Sequence, residues 1–267
     1  MGLKALWDVD LWNDRLVAYL PDLSAQEQEK VKEKIKNAPA GKFTVYTLEN
    51  HQDTLLDLGF QHEADLPGFF EGKTAKIFSL FLKEERNKSA SATKNKDVLN
   101  IVKNDKAVPS QSWKGILFSH LEESDLDQLT SLYKRVFDVY PTNIFDQNYI
   151  KASMNNNYTF VTAKDQGKVI GAASAMKTGY QSAEITDCAV DPDYRGRNIL
   201  HGLILELETR LVKERIFNAF SITRAVSVGM NMTVKRLDYT YKGTLVNNCK
   251  ISSGYEDMNI WVKKLKN

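Results

Sequence analysis

Val190-Asp191-Pro192-Asp193-Tyr194-Arg195-Gly196-Arg197-Asn198-Ile199-Leu200 joins an apolar, strand-like run to a helix-like one. Upstream, 183–190 reads as a strand. Downstream, Leu200, Leu203, Ile204, Leu207 and Leu211 recur at helical spacing, with Arg210, Lys213 and Arg215 toward the end. A helix start leaves backbone N–H groups unpaired and carries the positive end of the dipole, so an anion such as a pyrophosphate is favoured there. Arg195 and Arg197 add charge, Gly196 lets the backbone approach a ligand, and Asn198 can cap the helix. An ordinary strand–turn–helix connection punctuated by Pro192 and Gly196 is the plainer alternative.

Upstream of 183, the pattern predicts a strand over 115–118 and a helix capped by Ser124 with Leu126, Leu129, Leu132, Tyr133 and Val136 as its stripe, ended by Pro141. A second helix over 143–154 and strands over 158–163 and 168–176 follow, the latter two joined by a Gln166-Gly167 turn. Downstream come a strand over 217–222, a helix over 225–237, and strands over 241–247 and 257–265. The N-terminal part repeats the back half of that order, with a helix over 25–37, a strand over 42–48, a helix over 52–58 and strands over 60–64 and 74–82, but no front strands. Leu58-Gly59-Phe60 ends its helix as Leu237-Asp238-Tyr239 ends the later one, and the Gly72-led strand matches the Gly254-led one. These parallels suggest a divergent internal duplication; two unrelated α/β pieces with common turn chemistry are the alternative. Between the halves, 87–112 is small and polar and reads as a linker with a short helix near 96–103. The expected division is therefore 1–86, a linker over 87–112, and 113–267.

Lys and Arg number 36 against 34 Asp and Glu, a net charge of +2 that implies no nucleic-acid partner. Cys188 and Cys249 offer neither zinc spacing nor a disulfide framework, so no metal is expected. The N-terminus carries Asp8, Asp10 and Asp14 and lacks a signal-peptide core, and Leu6 stands where a myristoylation motif needs Ser or Thr. No apolar run approaches the roughly 20 residues that span a bilayer. Together these features place the chain in a reducing cytoplasm, away from membranes.

The segment Ala183-Glu184-Ile185-Thr186-Asp187-Cys188-Ala189-Val190 and the loop after it resemble the fourth strand and acetyl-CoA loop of the GNAT N-acetyltransferase superfamily. The element order from 115 onward matches that fold, which implies an α/β (α+β) architecture with a mixed, mostly antiparallel sheet flanked by helices. The smaller α/β domain ahead of it resembles the back half of the same fold. In the superfamily's loop pattern Arg195 fits the first place; Asn198 stands where Gly is usual and Leu200 where Gly or Ala is usual. A narrower resemblance, to the β-lysine N-acetyltransferases, rests on several runs. They are Gly229-Met230-Asn231-Met232, Leu237-Asp238-Tyr239, Gly243-Thr244-Leu245-Val246-Asn247-Asn248 and Glu256-Asp257-Met258-Asn259-Ile260-Trp261, with Gly59-Phe60, Pro67-Gly68-Phe69-Phe70 and Gly72 in the N-terminal part.

The resemblance implies transfer of acetyl from acetyl-CoA to the terminal amine of β-lysine, making a neutral compatible solute. Other small amines (a polyamine or lysine), protein lysines, or a coenzyme-A-binding pseudoenzyme are the rivals. It further implies that Cys188, Ala189 and Val190 contact the pantetheine arm. Arg195, Gly196, Arg197, Asn198, Ile199 and Leu200 would then hold the pyrophosphate. Glu184 or Asp187 would be the general base; strand alternation puts Glu184 with Cys188 on one face and Asp187 on the other unless a bulge intervenes. The position where many members carry a Tyr acid is Val234, and Tyr239 and Tyr241 are the nearby hydroxyls. For the acceptor, Glu256 and Asp257 are candidates for the distal ammonium, and Arg224, Asn247 and Asn248 for the carboxylate. The expected partner is a small-molecule amine, with a homodimer as the assembly to look for, and the N-terminal half is expected to shape the acceptor pocket without catalysing.

Overall fold

The structure, a computed structural model, describes residues 3–108, 113–251 and 254–266. The N-terminal half contains β1 (Leu6–Asp10), β2 (Arg15–Leu20), α1 (Ala25–Asn37), β3 (Lys42–Thr47), α2 (Gln52–Asp57), β4 (Gln61–Phe70) and β5 (Lys73–Phe81). After α3 (Ala92–Asn104), the C-terminal half runs β6 (Ile116–His120), α4 (Leu126–Val136), α5 (Gln147–Met154), β7 (Tyr158–Asp165), β8 (Lys168–Lys177), β9 (Ser182–Val190), α6 (Ile199–Lys213), β10 (Asn218–Arg224), α7 (Val228–Arg236), β11 (Thr240–Ile251) and β12 (Gly254–Lys264). Among the described residues, twelve strands form one mixed, mostly antiparallel sheet in the order β1-β2-β3-β5-β4-β11-β12-β10-β9-β8-β7-β6.

That order reads the same way outward from its centre. β2 pairs parallel with β3 as β9 pairs parallel with β10, and β3–β5 is antiparallel as β10–β12 is. β4 meets β11 through the pair Ala64↔Gly243. The equivalent helices also end alike. Gly59 (φ 87°) and Asp238 (φ 65°) both turn left-handed. Phe60 N–H then donates to Leu55 O at 3.0 Å, and Tyr239 N–H donates to Val234 O at 3.1 Å. The sequence reading gave the N-terminal half no front strands; the β1–β2 hairpin supplies counterparts of β8 and β9, while β6 and β7 have no counterpart among the described residues. β1 and β2 escaped because Asp10-Leu11-Trp12-Asn13-Asp14 breaks the apolar pattern around two short strands.

The expected linker is largely α3. Its Val98 and Val102, four residues apart, are buried in the core beneath α6 and α7, and Asn95 donates to Asp257 Oδ2 at 2.7 Å; residues 109–112 lie outside the described residues. Ser124 does not cap α4, because it sits inside a 3₁₀ turn whose capping box is made by Glu122 and Asp125. α5 starts later than expected, at the cap Asp146, and α7 at the cap Ser227.

One face of the sheet is covered by α1 and α2 over the N-terminal strands and by α3, α6 and α7 over the C-terminal ones. On the other face α4 and α5 cover only the β7–β9 end. The rest of that face buries Val17, Tyr46, Phe69, Phe70, Tyr180, Phe220, Cys249 and Ile260 in a cluster to which no described helix contributes. The sheet achieves this by curling. Six strands separate β2 from β9, so a flat sheet would hold them about 34 Å apart, yet the Tyr19 ring lies 6.1 Å from that of Tyr180 in the β8–β9 turn. Tyr180 OH also donates to Lys4 O at 2.7 Å, and Glu71 N–H to Tyr180 O at 2.9 Å.

The seam at the centre of the curl is tightly fitted. Buried Lys42 pairs with Glu63 at 2.8 Å and donates to Val246 O at 2.7 Å, while Glu63 accepts from Val246 N–H and Ser79 Oγ. Gly243 (φ 148°) faces the β4 backbone so closely that a Cβ would lie 2.3 Å from Glu63 O. Gly243→Ala should therefore destabilise the protein by about 1–3 kcal/mol, read as a lower urea midpoint; an unchanged midpoint would show that the seam yields.

Candidate active site

Two departures from regular pairing build the site. β9 and β10 pair only at Asn218↔Ser182, Ala219↔Ala183 and Phe220↔Glu184. One step on, Ser221 Oγ still reaches Ile185 O at 2.8 Å, and beyond it no β9–β10 pair forms, so Thr186 to Val190 border an open wedge. β2 and β3, by contrast, pair over six positions, from Arg15↔Lys42 to Leu20↔Thr47.

The second departure is a bulge on β9. Pairing with β8 jumps from Ala172↔Ala189 to Ser174↔Thr186, and Asp187 adopts φ 50°. The extra residue reverses the alternation. Ala183 and Ile185 pack under α6, and so do Cys188 and Val190, whereas Glu184 shares the opposite, concave face with its neighbour Phe220. Asp187 joins that second side by accepting from Ser174 Oγ at 2.6 Å. The alternation reading, which put Glu184 with Cys188 and set Asp187 apart, is thus corrected by the bulge it allowed for.

The two acids differ in their freedom. Asp187 is 4% exposed; besides its Ser174 bond, its N–H donates to Tyr140 OH at 3.2 Å. Burial raises its pKa, and the hydroxyls of Ser174 and Tyr140 at its carboxyl oppose the rise. The Glu184 carboxyl has no hydrogen bond or ion pair among the described residues. Burial, and then the charge of Asp187, push its pKa up to about 8, while Arg15 pulls the other way. Its surroundings are shared between the halves: the charge of Glu184 acts on Tyr19 and Tyr46 of the N-terminal strands and on Tyr158 of β7. Cys188 is a free thiol whose pKa burial drives far up, which leaves it a small packing residue.

The loop after β9 is anchored at its start. Asp191 is buried, accepts from Asp193 N–H at 3.1 Å, and pairs with Arg135 at 3.0 Å and Lys168 at 3.5 Å. Arg195, Gly196 and Arg197 are exposed. Neither arginine forms an ion pair among the described residues, and Arg197 lies over the Tyr194 ring at 4.9 Å. Gly196 (φ 78°) has open space where a Cβ would be. Ile199 is buried beneath the helix, and Leu200 is partly buried. Asn198 occupies the N-cap position of α6 in the left-handed region (φ 54°) without a side-chain capping bond, contrary to the expected cap. Its carbonyl accepts from Trp113 Nε1 at 2.9 Å instead. Trp113, Lys114, Gly196, Arg197 and Asn198 line a pocket of about 360 Å³.

The expected acceptor residues have other work. Arg224 and Glu256 pair with each other through bonds of 2.8 and 2.7 Å at an exposed strand end, so their charges cancel. Asn247 (φ 46°) is buried, and its Nδ2 donates to the carbonyls of Arg86 and Lys88, both at 3.0 Å. Asp257 accepts from Asn247 N–H and Asn95. Asn248 is buried beside Cys249, with Oδ1 unpaired, and its carbonyl accepts from Arg15 Nη1 at 3.4 Å. The missing Tyr position, Val234, is fully buried in the core.

Several residues had no local signal. Asn231 is a buried hub at the start of α7, accepting from Thr223, Asn259 and Trp261 and donating to the carbonyls of Arg224 and Ser227. Arg15, Tyr19, Tyr46 and Tyr140 reach the site only through the tertiary fold. Among the described residues, no group of three or more His, Cys, Asp and Glu is placed to hold a metal ion, and no helix is long and apolar enough to cross a membrane.

A strand bulged beside a splayed parallel neighbour, followed by a cationic turn onto a helix start, fits a pantetheine arm and its pyrophosphate. Residues 125–232 match the Acetyltransferase (GNAT) family. Over 275 residues the chain is 36% identical to N-acetyltransferase YodP of Bacillus subtilis, covering 99% of this chain and 97% of that one. Over 248 residues it is 30% identical to the Beta-lysine N(6)-acetyltransferase of Methanosarcina mazei, covering 84% and 92%. The solved ribosomal-protein-S18-alanine N-acetyltransferase of Escherichia coli shares the fold with a TM-score of 0.50 at 20% identity, over 57% of this chain and 95% of that one. The chain belongs to the GNAT acetyltransferase family and is an acetyl-CoA-dependent amine N-acetyltransferase.

Proposed function

We propose that this enzyme acetylates the terminal amine of β-lysine, giving N-acetyl-β-lysine, a neutral compatible solute made in the cytoplasm. The observation that carries the reading is the position of Glu184. It is a carboxyl with no hydrogen bond or ion pair among the described residues, at the last β9–β10 pair before the strands part, on a concave face that the N-terminal half closes over. The relative named as a β-lysine N(6)-acetyltransferase supports the choice of acceptor, since it matches across both halves of the chain.

Acetyl-CoA supplies the activated acetyl group when bound. Backbone groups of Cys188, Ala189 and Val190 along the wedge hold its pantetheine arm. Arg195, Gly196, Arg197 and the first turn of α6, from Asn198 to Leu200, hold its pyrophosphate. An alkyl ammonium has a pKa of about 10.4 and cannot attack until it loses a proton. Glu184, with a pKa pushed up to about 8, is far better matched to take that proton than an ordinary carboxylate. Asp187 is a positioning residue: it holds the bulge through Ser174 and its charge raises Glu184. The N-terminal half is a non-catalytic copy of the back half of the fold, and it walls the acceptor cleft with Tyr19 and Tyr46.

A thiol-release assay with β-lysine, lysine and spermidine should give the highest kcat/KM for β-lysine; spermidine as the best acceptor overturns the reading.

Glu184→Gln should lower kcat by roughly 10²–10⁴-fold with acetyl-CoA binding retained. In the wild type, kcat/KM should climb with pH and level off near 8 as Glu184 ionises. A raised carboxyl pKa means the folded state holds a proton that the unfolded state releases, so Glu184 costs stability as pH rises from its ordinary value of 4.5 through 8. Glu184→Gln should accordingly melt higher than wild type at pH 9. Unchanged turnover in the variant would remove Glu184 from the mechanism.

At the loop, Gly196→Val forces a branched residue to φ 78° and should raise the KM for acetyl-CoA roughly tenfold or more, about 1.4 kcal/mol. An unchanged KM would place the pyrophosphate elsewhere.

A further inference from the structure

β2 alternates cleanly. Leu16, Ala18 and Leu20 point into the core under α1, and Val17 and Tyr19 point onto the concave face. Arg15 shares the phase of Val17 and Tyr19, on the concave face that also carries Glu184, and its charge acts on that carboxyl. Its guanidinium is fixed at two edges. Nε pairs with Asp10 Oδ2 at 2.9 Å, and Nη1 donates to Asn248 O at 3.4 Å and lies 4.0 Å from Cys249 Sγ, itself a member of the concave cluster. Nη2 has no hydrogen bond among the described residues, and the side chain keeps 21% of its surface open. Asp10 is quenched from its other side, accepting from Asn13 N–H at 3.1 Å and Asn13 Nδ2 at 2.7 Å. The neighbouring cation on this face, Lys42, is fully buried and already spent on Glu63 and Val246. Arg15 is therefore a firmly held cation with an unbonded Nη2, on the face that also carries Glu184.

We propose that Arg15, from the N-terminal half, binds the carboxylate of the acceptor and so selects amino acids over plain amines. The assignment rests on the reading of the acceptor as a diamino acid. A guanidinium fork suits a carboxylate, and one held by Asp10 and the β11 backbone loses little freedom on binding. With the carboxylate at Arg15, the terminal amine at the other end of the molecule is directed to Glu184. The opposed charges also explain why Arg15 tempers the rise in the Glu184 pKa.

The test compares β-lysine with its carboxamide, 3,6-diaminohexanamide, in the full-length enzyme. Arg15→Gln should raise the KM for β-lysine by roughly 30- to 100-fold; kcat falls by one factor for both substrates, since losing Arg15 also raises the Glu184 pKa, and the kcat/KM of the carboxamide falls by that shared factor alone. Arg15→Lys should fall between. Should Arg15→Gln fail to fold with Asp10 left unpaired, the double variant Asp10→Asn, Arg15→Gln removes both charges and should give the same split. Equal losses for both substrates, or an unchanged KM for β-lysine, overturn the assignment. If wild type acetylates β-lysine best and Arg15→Gln does not discriminate, the Arg15 assignment alone falls. If wild type prefers spermidine over both, the diamino-acid reading falls first.

Discussion

Contact between Tyr19 and Tyr180 closes the curl of the sheet, and the site depends on that closure. A twelve-stranded sheet with helices on one face and two helices at one end of the other would leave a broad apolar surface in water. Here the surface folds onto itself, and the rings of Tyr19, Tyr46, Phe69 and Tyr180 form a connected aromatic group where the ends meet. The closure brings residues of β2 and β3 to within electrostatic reach of a carboxyl on β9. It also removes water from around that carboxyl, and burial is the largest cause of its raised pKa.

Inside this frame the bulge at Thr186–Asp187 sets the chemistry. Without the extra residue, regular alternation would set Asp187 on the side opposite Glu184, and Asp187 could not reach Ser174. With it, two acids share one side, the tethered one raises the free one, and Cys188 turns into the core. The positive φ of Asp187 is an expense of roughly 1–2 kcal/mol for a non-glycine residue, offset by bonds to Ser174 and Tyr140. The splay of β9 from β10 and the bulge lie within three residues of each other. The splay proposed to admit the cosubstrate and the ionisation of the carboxyl are therefore set by the same few residues of β9.

Much of this was legible in the sequence, and the exceptions have physical causes. α1 has the bounds expected from the sequence, and the structure shows Ser24 capping its start and an extended Ala38 ending it. The loop, the Gln166-Gly167 turn and the parallel endings at Gly59 and Asp238 were legible because turn chemistry is local. Glu184 and Asp187 were singled out, but not their shared side, since alternation cannot show where a strand gains a residue. The partners of Arg224, Glu256, Asn247 and Asp257 are not visible in the sequence, because polar residues at strand ends look alike until the fold brings their partners in. Their partners here are each other, Asn95, or carbonyls more than a hundred residues away in the chain. α3 stands out poorly in the sequence because its buried apolar residues are Val98 and Val102 with Leu99 partly buried, too sparse a stripe in a polar segment. Arg15 lies in a six-residue strand whose meaning depends on a sheet that closes over 160 residues later.

The register gives a reason why one half would catalyse and the other would not. Lys42 and Asn218 hold equivalent places, opposite Phe81 and Lys264, the last residues of β5 and β12. Counting along the parallel pairs from there, Thr44 matches Phe220, and the residue beside Thr44 is Val17 where the residue beside Phe220 is Glu184. The position of the free carboxyl is thus apolar in the N-terminal half. That half also keeps β2 and β3 paired along their whole length, so it has no wedge for a pantetheine arm. Its β4 edge meets β11 antiparallel, the arrangement in which two like edges would meet in a symmetric dimer. On the proposed reading of the halves as copies, a single chain lets the two diverge. In a true dimer each half would have to be both enzyme and wall, and a residue placed to read a carboxylate would appear twice, including at the position that must serve β9. In one chain the β2 position equivalent to Ser182 can become Arg15 while Ser182 stays small, so the pocket gains a cation without altering the strand that carries Glu184.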